Sequence, residues 1–235
     1  MSIAAPPLAS NSKQLSFSSA ERVQQSLTAS SERRLLIRLA ERAPAWLNSD
    51  HLTILGFVSQ CLAGACYALA RLHKSALLFG ILFLGLNWLG DSLDGTLARV
   101  RNRQRPRYGF YVDHISDSIA ALFLMGGMAL SGYVSPAVAF GMLIAFLLLS
   151  IESYLATYTL GSFQLSHCKF GPTEIRILLA IGNLALLWHP TIRFLGRSML
   201  LFDVGGSIAI AAMGLMLTVA AFRHTAQLYR EERLS

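Results

Sequence analysis

Residues 89–118 read LGDSLDGTLARVRNRQRPRYGFYVDHISDS. Asp91, Asp94, Asp113 and Asp117 stand here with Arg99, Arg101, Arg103, Arg105 and Arg107, directly after a long apolar run. Charge beside a membrane is costly and is by default a sign of function. The fold and the chemistry both turn on why two hydrophobic segments meet the water with four carboxylates.

The apolar runs set the class. The chain has 235 residues, of which 54% are hydrophobic and 14% charged, with a mean hydropathy of +0.49. A soluble domain carries about 25% charged residues. Residues 52–70, 118–151 and 204–222 carry no formal charge, and a polar break at residues 131–136 divides the second run. Each piece is close to the ~20 residues that cross a bilayer as a helix. The expectation is an all-α polytopic integral membrane protein with six transmembrane helices, near 52–71, 75–96, 110–130, 136–159, 174–192 and 204–222. The fifth contains Arg176 and is cut short by His189 and Pro190.

The flanks are polar. Residues 1–18 are rich in Ser, Ala, Pro and Asn and read as a disordered tail. Residues 19–46 form an amphipathic juxtamembrane segment. Val23, Leu27, Leu35, Leu36 and Leu39 share a stripe, with Arg33, Arg34, Arg38 and Arg42 around it. Such a helix suits an anionic membrane surface or a solvated juxtamembrane position. Residues 47–223 would then form a six-helix transmembrane domain and 224–235 a cytoplasmic tail. The net charge of +7 fits topology rather than nucleic acid, since no aromatic-interleaved basic domain accompanies it. With six spans, all Lys and Arg except Arg71, Lys74, Arg193 and Arg197 fall on the side of the termini. That side, with the aspartates, should be cytoplasmic, at the inner membrane if the cell is bacterial. Cys61, Cys66 and Cys168 have no metal-ligand spacing.

Helical geometry brings the carboxylates together. At about 100° per residue, Asp94, Gly95 and Ala98 all lie within about 60° of Asp91 on one stripe. Gly109, Asp113 and Asp117, spaced by four, share another stripe. Two consecutive antiparallel helices can thus aim four carboxylates at one point. Four such groups cannot all stay ionised without cations. All-oxygen ligation selects hard ions such as Mg²⁺ or Mn²⁺, and a pair of them can clamp a pyrophosphate.

The order Asp91-x2-Asp94-Gly95-x2-Ala98-Arg99, nine residues, Gly109-x3-Asp113-x3-Asp117 resembles the signature of the CDP-alcohol phosphotransferase (CDP-alcohol phosphatidyltransferase) family, with all eight fixed positions filled. The resemblance implies a membrane transferase of six helices, often a homodimer, that attacks a CDP-alcohol with an alcohol and releases CMP. It implies that Asp91, Asp94 and Asp113 hold the two divalent metals, with Asp117 at their edge as general base on the acceptor hydroxyl. It assigns Gly95, Ala98 and Gly109 to the cytidine nucleotide pocket, and Arg99 to ordering the site or meeting the nucleotide. CDP-diacylglycerol is the favoured donor and a small polar alcohol the acceptor, in phospholipid biosynthesis. The Asp113-His114 pair resembles the aminoalcohol branch, in which CDP-choline or CDP-ethanolamine meets diacylglycerol.

Further pocket candidates surround the motif. Thr53 opens the first span. Asn87 lies one turn before Asp91, facing either pyrophosphate or a neighbouring helix. Glu152 sits within the fourth span, where a carboxylate needs a partner. Glu174 begins the fifth after Gly171-Pro172-Thr173, a helix-start signal, and Arg176 follows as an anion site or one more topology signal. A cation-coupled transporter is the rival from another class. Transporters place their carboxylates near the bilayer midplane at broken helices in related halves; here they lie at one end of two adjacent helices, with no half-repeat.

Overall fold

The computed structural model describes residues 29–160, 171–194 and 196–233. The elements run α1 (Ala29–Arg42), α2 (Ser49–Ala70), α3 (Ala76–Val100), α4 (Pro106–Ser131), α5 (Pro136–Leu160), α6 (Pro172–Trp188), β1 (Thr191–Phe194), β2 (Arg197–Leu200) and α7 (Leu201–Glu231). Among the described residues, α2, α3, α4, α5 and α7 are long and apolar enough to cross a membrane. The architecture is the all-α polytopic one expected from the sequence. The disordered-tail reading of residues 1–18 and Cys168 lie outside the described residues.

The boundaries differ from the expectation in ways that have local causes. α3 runs four residues past the expected 96 and α4 starts at Pro106 rather than 110. Pro at the first turn of α4 fits there because that position needs no intrahelical donor. The connecting loop shrinks to residues 101–105 and turns through Asn102 at φ 53°, so all four aspartates stand on helices. α6 has 17 residues, about 26 Å of helix, against a hydrocarbon core of about 30 Å. The expected span at 174–192 ends early because residues 191–200 form an antiparallel hairpin that hydropathy did not announce. Thr191 pairs with Leu200 and Phe194 with Arg197; Gly196, at φ 78°, supplies the left-handed backbone of the turn. α7 reaches Glu231, so its helix continues through residues 224–231.

α2 is the axis of the site. It packs against both α3 and α4, while α4 packs on α5, α5 on α7, and α6 on α3. Lipid chains are as apolar as leucine, so helices in a bilayer associate by close van der Waals packing at small residues. Gly90 of α3 lies against Gly56: a Cβ at 90 would stand 2.5 Å from Gly56 N. On the other side, a Cβ at Gly127 of α4 would fall on the Gly64 carbonyl, and one at Gly64 on the backbone of Phe123. Ala63, Tyr67, Leu77, Leu84, Leu124 and Met128 fill the core beside these contacts. A buried bond from the Tyr67 hydroxyl to Asn183 Oδ1 (2.7 Å) ties α6 to α2.

α1 does not float free of the bundle. Leu36 and Ala40 are buried against Leu52, Leu93 and Leu97. Arg101 anchors the chain after α1 by donating from Nη2 to the Ala43 and Pro44 carbonyls (2.9 Å each) and from Nη1 to the Leu47 carbonyl.

A substitution pair tests the glycine contacts. Gly127→Ala should lower the thermal midpoint of the detergent-solubilised protein, at a cost of at least about 1–3 kcal/mol from overpacking. Gly126→Ala, where a Cβ meets nothing within 4 Å, should leave the midpoint unchanged or raise it.

Candidate active site

The polar ends of four helices meet at one end of the bundle: the start of α2, the end of α3 and the starts of α4 and α6. Carboxylate oxygens of Asp91, Asp113 and Asp117 come within 4.8 Å of one another. All three side chains are half-buried. The stripes expected from helical spacing do converge, but Asp94 is set apart from this trio. Its Oδ2 accepts a 2.7 Å bond from Thr53 Oγ1 of α2, and its Oδ1 accepts from the Gly95 amide. Ser49 Oγ also donates to the Asp94 carbonyl at 3.0 Å. Asp94 still stands within electrostatic reach of Asp91 and Asp113.

Arg176 supplies a counter-charge. Its Nη2 donates to Asp91 Oδ2 and its Nε to Asn87 Oδ1, both at 2.7 Å. Asn87 is 3% exposed and donates from Nδ2 to the Gly56 carbonyl at 2.9 Å. A guanidinium from α6, an amide from α3 and a carbonyl from α2 therefore form one chain that ends on Asp91. Among the described residues, the Arg176 cation bonded to Asp91 leaves the three converging carboxylates a net negative cluster of hard oxygen donors, a set that fits a divalent ion.

The glycines of the motif are of a different kind from those that hold the helices together. A Cβ at Gly95 would meet only Arg99 Nη1, at an ordinary 3.5 Å, and one at Gly109 would meet nothing within 4 Å. Helix packing demands neither. Arg99 Nη2 donates to Thr96 Oγ1 of its own helix at 3.0 Å. Ala98 borders a cavity of about 370 Å³ whose walls include Ser49, Asp50, Arg101, Arg103 and Arg105. Arg105 pairs with Asp50 across it and stacks over the Tyr108 ring.

Glu152 and Glu174 go elsewhere. Glu152 of α5 finds its partner on α7, where His224 Nδ1 lies 2.5 Å from Oε1; it is not one of the carboxylates that converge. Glu174 is buried and accepts from the Gly171 amide at 2.9 Å, closing the first turn of α6. His114 packs at tilted angles against Phe110 and Tyr154, with ring centroids 4.2 and 4.8 Å away. Its Nδ1 lies 3.3 Å from Asp113 Oδ2. Sequence reasoning missed Glu32, Ser49, Arg101, Tyr154 and His224, since each acts across helices and none belongs to a spaced motif.

Comparison with known proteins agrees with the geometry. The model of the CDP-alcohol phosphatidyltransferase family matches residues 46–222. No curated protein matches the chain. The chain belongs to that family, and is a membrane-embedded transferase of substituted phosphate groups that moves a phosphate-linked group from a CDP-alcohol to an alcohol acceptor.

Metal titration separates the two carboxylate neighbourhoods. Asp113→Asn should weaken Mn²⁺ binding, followed by electron paramagnetic resonance of the purified protein, by about tenfold or more. Glu152→Gln, on the other side of α5, should bind Mn²⁺ as the unaltered protein does.

Proposed function

We propose that this member of the CDP-alcohol phosphatidyltransferase family transfers a phosphatidyl group from CDP-diacylglycerol to a small polar alcohol, with release of CMP, in phospholipid biosynthesis. The observation that carries the reading is the group of Asp91, Asp113 and Asp117 oxygens within 4.8 Å, borne on two helices inside a complete motif. We read residues 47–223 as the catalytic domain, acting as a homodimer. The site and both termini are assigned to the cytoplasmic side, the inner membrane in a bacterium; the support is the crowding of Lys and Arg on that side.

The roles follow from the chemistry each position can perform. Asp91, Asp94, Asp113 and Asp117 would hold two Mg²⁺ or Mn²⁺ ions, which supply positive charge to the donor pyrophosphate and to the departing CMP. Arg176 keeps Asp91 oriented, and Thr53 does the same for Asp94. Asp117 takes the proton from the acceptor hydroxyl, because a free alcohol is a weak nucleophile and a carboxylate within reach activates it. The acceptor oxygen then forms a bond to the phosphorus remote from cytidine. The bond from that phosphorus to the bridging oxygen breaks, and CMP leaves with the electron pair. Gly95, Ala98 and Gly109 leave the backbone open to the nucleotide, and Arg99 lies beside them. The arginine-lined cavity at Ala98 favours an anionic donor near the rim. A site at the end of the helices lets a lipid enter from the bilayer and a polar alcohol from water.

Three measurements test this. Purified protein given a panel of CDP-linked donors and alcohol acceptors should release CMP only with Mg²⁺ or Mn²⁺ present, and mass analysis should find the phosphatidyl product. Asp117→Asn should lower the rate by about 10²-fold or more. Metal-independent release or an unaffected variant would overturn the mechanism, and an aminoalcohol phospholipid formed only from CDP-choline or CDP-ethanolamine would reassign the donor. Gly95→Val should raise KM for the CDP donor, as the new side chain occupies space that the protein leaves open.

A further inference from the structure

α1 precedes the residues matched by the family model, yet it reaches the active site. Its Glu32 carboxylate accepts a 2.8 Å bond from Trp88 Nε1 and a 3.2 Å bond from Ser92 Oγ, both on α3. It also accepts from Thr173 Oγ1 on α6, at 3.1 and 3.3 Å to its two oxygens. Trp88 lies three residues before Asp91 and Ser92 one after it. Thr173 lies three residues, about one turn, before Arg176. The carboxylate therefore bridges the turn of α3 that carries Asp91 to the turn of α6 that carries Arg176. The Arg176 bonds to Asn87 and Asp91 form a second bridge between the same two turns. α1 itself is held down by Leu36 and Ala40 against Leu93 and Leu97, and by Arg101 at its exit.

We propose that Glu32 is a positioning residue for the active site: it fixes the first turn of α6 on α3 and so holds Arg176 on Asp91. α6 needs such a clamp because, at 17 residues, it is shorter than the five membrane-length helices and packs mainly on α3. Hydrogen bonds to an ionised acceptor are about twice as strong as neutral ones, and three donors from two helices converge on this one. The N-terminal helix is thereby part of the catalytic unit, beyond any service as a membrane anchor. The proposal rests on the reading of the Asp91 cluster as the metal-binding active site.

The test is a double-mutant cycle on the full-length protein in detergent, with Glu32→Ala, Arg176→Ala and the pair. Mn²⁺ binding and the thermal midpoint are the readouts. Glu32→Ala should move the Mn²⁺ dissociation constant in the same direction as Arg176→Ala, by about threefold or more, and should add nothing in the Arg176→Ala background. An unchanged constant, or a shift of equal size in both backgrounds, overturns the proposal. Should Glu32→Ala fail to fold, Thr173→Val removes only the α6 donor and must give the same coupling. A wild-type protein that binds no Mn²⁺ refutes the metal reading instead; the clamp is then judged by the midpoints alone, where additive losses overturn it and non-additive losses support it.

Discussion

The site depends on α2 being approached to backbone distance on two faces. Gly56 and Gly90 let α3 in, and Gly64 and Gly127 let α4 in. In lipid, no hydrophobic force sorts one apolar helix face from another, so shape and polar bonds must do it. Glycine contacts fix both the separation and the register. Once α3 and α4 are seated on α2, their aspartate stripes must point to a common place. The Asn87 bond to the Gly56 carbonyl belongs to the same joint, so one contact positions the helices and begins the polar chain that ends on Asp91.

Electrostatics then explains the company the aspartates keep. Two unit charges 4.8 Å apart at an effective dielectric of about 20 repel by about 3.5 kcal/mol. Among the described residues, the Arg176 guanidinium bonds to Asp91, and by itself it cannot offset three such pairs. Asp94 relieves part of the crowding by turning to Thr53 and the Gly95 amide. What is left is a cluster of carboxylate oxygens that could hold a cation. The place that could hold a cation thus follows from the packing of three helices.

Sequence spacing showed well which residues share a face of one helix. Asp91 with Asp94, and Gly109 with Asp113 and Asp117, follow from a 100° step. It could not show which face of a second helix arrives opposite, because that is set by side-chain contacts distant in the chain. Glu152 looked like a pocket residue because a carboxylate within a span needs a partner; the partner is His224, 72 residues on, in a stretch that read as tail. Arg101 looked like one more topology charge, but its guanidinium meets three carbonyls of the segment after α1. The hairpin after α6 escaped notice for another reason. Its strands are four residues each, too short for alternation to stand out beside apolar helices.

Two populations of glycine make the last step. Gly56, Gly64, Gly90 and Gly127 are explained by the helix beside them, since each Cβ would meet backbone atoms. Gly95 and Gly109 are not, since each Cβ would stand in open space or ordinary contact. Glycine in a helix interior costs about 1 kcal/mol against alanine; Gly126 also stands in open space, so what distinguishes Gly95 and Gly109 is where they lie. Both lie on the stripes of the aspartates, one on each helix. Under the proposed reading that place is where a nucleotide is brought close to two backbones at once. The separation between α3 and α4 at their polar ends is then as much a part of the catalytic design as the carboxylates that face across it.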